Sequence, residues 1–418
     1  MISEIRIQNF KSIHDLTLKP GRVTVIIGEN GSGKSNILEA IAFAAGAAAG
    51  KLDGEYLYNR GVRVADWPWM TSAFAHEKDA KKQSPPMFFR VRDEEIDDEL
   101  IYQVQPAFRA ADASFHGWEV KPQVGPRDLQ MAREATTREQ LLEVVEKLKE
   151  KVLVEFPDQA TREQMQTFLA THAESFGLSL AAVSAHDARA SVFAETTGWG
   201  DFLIYAPENT VLRTPPPEGA IEPLGTRGEG LLRLLQSFGE GNFADRLPDM
   251  KERLGLFGWF KDFLVPDEAA TDVARLQIHD KWLAQDRAVF DQRSANEGFL
   301  YLLFYFTALM SWRTPRFFAL DNVDNALNPK LCSALMRQIV ELARKYDKQV
   351  ICTTHNPAIL DGLNINDDDQ RLYTVQRDED GHTTINRVRP PTPQPGKAPT
   401  KLSAAFLAGN IGGLPDHF

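Results

Sequence analysis

Residues 2–10, ISEIRIQNF, alternate apolar and polar side chains, the period-two pattern of a strand with one face on a core. A turn follows at Pro20-Gly21, and then VTVII (Val23 to Ile27) is an unbroken, largely β-branched run of the kind found in strands covered on both faces. The run stops at Gly28. After Ser35, NILEAIAFAAGAAAG has helical periodicity and strong helix formers. The opening therefore reads as strand, glycine-rich turn, helix.

Further along, MFFRVRDEEI and ELIYQVQPAF predict two strands of an antiparallel sheet joined by an acidic turn. Between Asp128 and Ala194 the style changes. REQLLEVVEKLKEKVLVEF and TREQMQTFLATHAESFGLSLAAV space Leu, Val and Phe at helical intervals, which predicts an insertion of two to four helices with too few heptads for a long coiled coil. TPPPEGAIEP is a loop, and EGLLRLLQSF is an amphipathic helix. The last third returns to alternation: ARLQIHDKWL as a strand, a helix from Phe299, RFFALD as a buried strand, and PKLCSALMRQIVELARKY as an amphipathic helix. QVICTTH follows as a buried strand, and QRLYTVQRD with HTTINRVRP as a hairpin. PPTPQPGKAPTK reads as an extended linker. The expected organisation is an N-terminal lobe over 1–120, a helical insertion over 121–200 and a C-terminal lobe over 201–418.

Composition narrows the class. The 418 residues are 43% hydrophobic and 25% charged, enough to build a sizeable core. A net charge of −11 speaks against a surface wholly built to coat nucleic acid. Two cysteines, Cys332 and Cys352, make neither a disulfide framework nor a zinc site and suit a reducing compartment. The N-terminus has no charged leader before an apolar stretch, and FLYLLFYFTALMSW is too short to span a bilayer. A cytoplasmic protein with no membrane partner is expected.

The chemistry concentrates in three places. GENGSGKS, Gly28 to Ser35, satisfies G-x-x-x-x-G-K-[ST] between a buried strand and a helix. Gly28, Gly31 and Gly33 let backbone N–H groups of Asn30, Ser32 and their neighbours curl around a phosphate, and the helix that begins here adds its positive end. Lys34 supplies a point charge for the β- and γ-phosphates, Ser35 a hydroxyl for Mg²⁺, and Asn36 completes the loop. RFFALD, ending in Asp321, presents a second Mg²⁺ ligand in the manner of a Walker B strand, and in a parallel sheet the two strands can be neighbours. QVICTTH ends in His355, one strand–helix unit later, which places an imidazole at the γ-phosphate edge. ATP and Mg²⁺ are the expected ligands.

INFKS, GENGSGKSN, the late Walker B strand and TTHNP together resemble the ABC-type ATPases of the RecF/SMC/OLD group, over roughly residues 1–60 and 290–365. The resemblance implies an α/β ABC-type P-loop ATPase head: a mixed, largely parallel sheet flanked by helices, plus an antiparallel sheet and, here, a helical insertion. It also implies a homodimer, or a higher homo-oligomer, with ATP sandwiched between heads. The signature segment for the partner's ATP is then RSANEG, with Arg293, Ser294 and Gly298 at the head of the apolar helix. Ser294 followed by Glu297 equally has the form of a capping box. One position departs from the family: the Glu that normally follows the Walker B Asp is Asn322, which cannot accept a proton at neutral pH. Asp324 aligns with a second acid of OLD-like heads (D-E-P-E against D-N-V-D) and is the candidate catalytic carboxylate beside His355. The expected ATPase is slow, and Asn328 falls near the family's D-loop position.

The tail KLSAAFLAGNIGGLPDHF is similar to the ends of stand-alone ATPases in Septu- and PARIS-type anti-phage systems, which implies a scaffold or sensor for a separate effector, commonly a nuclease. The chain after His355 is too short for the Toprim domain of an OLD nuclease. The alternative reading is a RecF-like repair or chromosome-maintenance ATPase acting on DNA, with Arg60, Arg63, Lys81 and Lys82 as candidate DNA-facing residues. A transporter cassette fits the long insertion and the NFKS strand poorly.

Overall fold

The computed structural model describes residues 1–74, 85–109, 114–135, 173–214, 223–239, 243, 245–265, 275–285, 287–390 and 401–414. The strands are β1 (Ile2–Phe10), β2 (Ile13–Leu18), β3 (Val23–Gly28), β4 (Met87–Asp93), β5 (Asp98–Phe108), β6 (Phe115–Pro122), β7 (Ile204–Tyr205), β8 (Phe260–Leu264), β9 (Gln277–Asp280), β10 (Val289–Asp291), β11 (Phe317–Leu320), β12 (Gln349–Thr354), β13 (Gln370–Arg377) and β14 (Thr383–Val388). The longer helices among the described residues are α1 (Lys34–Ala48), α2 (Pro126–Ala135), α3 (Ala173–Thr197), α4 (Arg246–Leu254), α5 (Glu297–Met310) and α6 (Pro329–Lys345).

The central sheet runs β14-β13-β3-β12-β11-β7, parallel from β13 to β7 with β14 antiparallel at one edge. Every residue of β3 and β12 is buried, as their unbroken apolar runs demand. The pleat sends alternate side chains to two cores. Val25, Ile27, Phe318, Leu320, Val350 and Cys352 face α5 and α6. Ile26, Phe317, Ala319 and Ile351 face α1 and the antiparallel sheet β2-β1-β4-β5-β6. A third sheet, β10-β9-β8, lies beside α4 and packs into the first core through Phe260, Phe263 and Ile278. The walls of the central sheet thus come from both ends of the chain.

This order corrects one expectation. The strand before the phosphate loop and the strand that ends in Asp321 are not neighbours, because β12 lies between them and pairs with both. The reading of α5 as buried holds, since every residue from Gly298 to Met310 is buried. No described helix is long and apolar enough to cross a membrane. The capping box does not form. α5 begins at Glu297, and Asn296 caps it by accepting a hydrogen bond from Phe299 N–H at 3.3 Å.

The helical insertion is described only at its base, where α2 and α3 pack together; REQLLEVVEKLKEKVLVEF lies outside the described residues. TPPPEGAIEP and the proline-rich linker, each apart from its first and last residues, lie outside them as well. β2 and β6 escaped the sequence reading. β2 has only six residues and hides its alternation behind His14 and Asp15, and β6 has no buried residue to mark it.

Candidate nucleotide site

The loop from Gly28 to Ser35 closes between the carboxyl end of β3 and the first turn of α1. Two of its glycines are dictated by contact. A Cβ on Gly28 would lie 2.1 Å from the Val375 carbonyl oxygen of β13, and one on Gly33 would lie 2.1 Å from Thr383 Oγ1. Gly33 also sits at φ 107°, a conformation other residues rarely adopt. The loop is braced from behind by β13 and β14. Arg377 Nε donates to Gly31 O at 3.0 Å. A file of hydroxyls runs underneath: Asn36 Nδ2 to Ser12 Oγ at 2.6 Å, Ser12 Oγ to Thr383 Oγ1 at 2.7 Å, and Thr383 Oγ1 to Ser32 O at 3.0 Å. The Ser32 hydroxyl itself is buried without a partner.

Lys34 is buried and folded over the loop, its Nζ donating to Gly28 O at 2.9 Å and Glu29 O at 2.7 Å. Burial pushes its pKa down to about 8, against the pull of Asp321, Glu29 and Asp324. The Ser35 hydroxyl reaches the opposite strand end, donating to Asp321 Oδ2 at 3.3 Å. The predicted pair of Mg²⁺ ligands therefore meets across the sheet, bridging over β12.

The acids are oriented by two consecutive threonines at the end of β12. Thr353 Oγ1 donates to Asp321 Oδ1 and accepts the Asn322 N–H at 2.8 Å. Thr354 Oγ1 donates to Asp324 Oδ1 at 2.6 Å. His355 follows, exposed at the strand end. Partial burial lowers its pKa first and Lys34 adds to this, against Asp324, Asp321 and the Gly28 backbone, so the ring is neutral at pH 7. Asn322 is held at φ 52°, in the left-handed region that Asn tolerates better than most residues.

Other expected site residues lie differently. Asn30 is exposed at the loop tip. Asn36 turns away from the loop: its amide donates to Ser12, and its carbonyl oxygen accepts from Arg63 Nη2 at 3.3 Å. Residues 293–298 stand at the head of α5, against the turn after Asp324. A Cβ on Gly298 would meet Leu327 Cδ2 at 3.0 Å and Ala326 O at 3.2 Å. Arg293 pairs with Asp291 at 2.6 Å, and Ser294 is exposed. Among the described residues no hydrogen bond joins this segment to the loop of the same chain. Lys11 Nζ and Arg63 Nε pair with the buried Glu39 of α1, each at 2.5 Å. Arg60 donates to Phe202 O at 2.9 Å and covers the Tyr56 ring. Arg63 keeps most of its side chain exposed despite its pairing with Glu39, and Lys81 and Lys82 lie outside the described residues.

A family model described as an AAA domain matches residues 4–167. A second, described as "AAA domain, putative AbiEii toxin, Type IV TA system", matches residues 275–361. The structure of an SMC head bound to the C-winged helix domain of ScpA superposes with a TM-score of 0.53 at 12% identity, covering 93% of this chain and 97% of that one. The chain folds as an ABC-type ATPase head. Sequence relatives include the chromosome partition protein Smc of Methanococcus voltae, 42% identical over 80 residues, or 18% of this chain. The DNA double-strand break repair Rad50 ATPase of Sulfolobus acidocaldarius is 54% identical over 44 residues, or 10% of this chain. The matches span only 7% and 5% of those relatives' lengths.

The residues missed from sequence are the braces. Thr353 and Thr354 were visible as a pair of hydroxyls before His355, and the strand order assigns them one acid each. Thr383 and Arg377 carry no local signal, since only the pairing of β13 with β3 brings them to the loop.

Proposed function

We propose that this head binds ATP with Mg²⁺ at residues 28–35 and pairs with a second copy across the nucleotide. In this reading it acts as an ATP-gated scaffold for a separate effector, a nuclease, in bacterial anti-phage defence. The observation that supports it most is the convergence of Lys34, Ser35, Asp321, Asp324 and His355 on one end of the parallel sheet, with Asn322 where a general base is expected.

The residues suit the ligand. The loop offers backbone N–H groups, an orphaned Ser32 hydroxyl and the amino end of a long helix. Lys34 exchanges two carbonyl oxygens for the β- and γ-phosphates. Ser35 and Asp321 would hold Mg²⁺, which neutralises charge on the β–γ bridge when bound. His355 reads the γ-phosphate. Arg293, Ser294 and Gly298 face the nucleotide of the second copy. Asn322 cannot take a proton, and Asp324, held by Thr354, is the remaining carboxylate able to receive one from the attacking water. Slow turnover follows, and ATP serves chiefly to hold the dimer.

The description of the second family model, a putative toxin of a toxin–antitoxin system, supports the defence reading. The Smc and Rad50 relatives support the other one, a chromosome-maintenance or repair ATPase acting on DNA directly. Steady-state ATP turnover, with Lys34→Ala as blank and Asp324→Asn beside it, tests the site. Activity equal in parent and Lys34→Ala overturns it. A salt-dependent affinity for duplex DNA, measured without an effector, favours the second reading.

A further inference from the structure

The tail docks through residues 401–414 on two supports of the candidate nucleotide site. Its short helix α7 (Leu402–Leu407) lies against the 3-10 turn Pro357–Gly362, which starts two residues after His355. Phe406 is buried in the first core. The Asp361 carboxylate accepts twice from Ser403, from the N–H at 3.0 Å and from the hydroxyl at 2.8 Å. Beyond the helix, Gly413 takes φ 83° and brings the chain onto β13. A Cβ there would lie 3.1 Å from Thr374 Cβ and 3.3 Å from Phe406 Cε2.

Both contacts lead to the site within a few residues. At the start of the turn, Asn356 Oδ1 accepts from Ala358 N–H at 3.0 Å, and Asn356 N–H donates to Thr354 Oγ1 at 3.0 Å. That same hydroxyl holds Asp324. At its end the turn abuts α6, where a Cβ on Gly362 would lie 2.5 Å from Ser333 O and 2.6 Å from Met336 Cβ. The turn is thus confined between α6 and α7. Thr374 pairs with Ile27, and its neighbour Val375 carries the carbonyl that excludes a Cβ from Gly28.

His355 is exposed just past the last residue of β12, so the backbone on either side of it aims the ring. The strand before it is fixed by β3 and β11. The turn after it owes one wall to α7. At a 3-10 rise the six steps from His355 to Asp361 span about 12 Å, a short hydrogen-bonded run that passes a shift at Asp361 on to the ring. Coupling of this kind is reciprocal. If docking favours the ring position that meets a γ-phosphate, a bound γ-phosphate favours docking by the same factor.

We propose that Asp361 and Ser403 are positioning residues: their clamp docks the tail so that His355 is aimed at the γ-phosphate, and the γ-phosphate in turn tightens the tail. This rests on the reading of residues 28–35 and His355 as an ATP site. The test is hydrogen exchange of the full chain with Mg²⁺ and either ADP or a non-hydrolysable ATP analogue, each at saturation established by calorimetry. The analogue is expected to slow exchange across residues 402–407 by roughly fivefold or more relative to ADP, and His355→Ala to remove that difference. Ser403→Asp sets a second carboxylate against Asp361. It should weaken the analogue by roughly fivefold and leave ADP affinity within about twofold. Adding Asp361→Asn should restore the analogue. A clamp that only stabilises the fold would not distinguish the two nucleotides. Equal exchange with ADP and analogue in a parent that binds both, or Ser403→Asp weakening both alike, overturns the proposal and leaves the nucleotide site standing. A parent that binds neither nucleotide overturns the site and the proposal together.

Discussion

Ser12 and Thr383 stand 371 positions apart in the chain, yet their hydroxyl oxygens lie 2.7 Å from each other beneath the phosphate loop. Through them the turn after β1 and the start of β14 hold one carbonyl, Ser32 O, and with it the path of the loop. Thr383→Val removes the central hydroxyl and leaves two buried polar groups unpaired, at about 1–3 kcal/mol. Melting should fall by several degrees, and ATP affinity by roughly two- to tenfold if half of that cost falls on the loop. Thr383→Ser should restore both. A valine variant that binds a fluorescent ATP analogue like the parent would remove Thr383 from the site.

The depressed pKa of Lys34 gives ATP binding a pH dependence. A bound triphosphate favours the ammonium form, so the pKa of Lys34 is higher with nucleotide than without. Affinity is then full below about pH 8 and declines as pH rises beyond it, because the free head must first take up a proton. In the nucleotide-free chain the sign is opposite. The unfolded chain binds this proton more tightly, so the contribution of Lys34 to stability rises with pH from about 8 toward the ordinary lysine value of 10.5. Lys34→Ala should abolish binding. Lys34→Arg should bind weakly with no decline above pH 8, since a guanidinium does not titrate there. Titrations at intervals from pH 6.5 to 9.5 distinguish the two.

Asn322 occupies its position for a backbone reason as well as a chemical one. At φ 52°, with its N–H bound to Thr353, it sits where a longer side chain costs about 1–2 kcal/mol. Asn322→Glu, the substitution that supplies the family's usual acid, is therefore expected to lower the melting temperature without raising ATP turnover. Asn322→Gly is expected to melt at or above the parent. A glutamate variant that turns over faster with unchanged stability would show that the loop adapts and that the missing acid alone limits the rate.

Much of this could be read from residues in a row. β3, α1, β11 and β12 each announce themselves by a local pattern, and Lys34, Asp321 and His355 by their place at the ends of those patterns. What could not be read is whatever depends on strand order. Nothing near Asp321 says that Thr353 will orient it, because β12 comes between β11 and β3 only in space. Thr383 and Gly33 are likewise joined only through the pairing of β14 with β13 and of β13 with β3. The capping of α5 differs for another reason: Ser294 and Asn296 both suit the role, and it is the Asn296 side chain that accepts from Phe299 N–H.

The base of the inserted helices offers the sharpest stability test. Asp128 on α2 is fully buried and is held by Arg189 of α3, whose Nε donates to it at 2.8 Å. The same guanidinium reaches Asp98 and the Glu99 carbonyl of β5, so one side chain ties both helices to the antiparallel sheet. Burial alone would raise the Asp128 pKa, but Arg189, the Gly125 N–H and His186 outweigh it and hold the carboxyl below its usual range. Its contribution to stability is therefore present above pH 4 and is lost as pH falls through the lowered folded-state value. Arg189→Leu strands a buried carboxylate, with an expected cost of about 3–5 kcal/mol in urea unfolding at pH 7. Adding Asp128→Asn should recover part of that loss, because an amide is cheaper to bury than an unpaired charge. If Arg189→Leu unfolds within about 0.5 kcal/mol of the parent, the usual range for a surface substitution, the clamp does not hold this junction together.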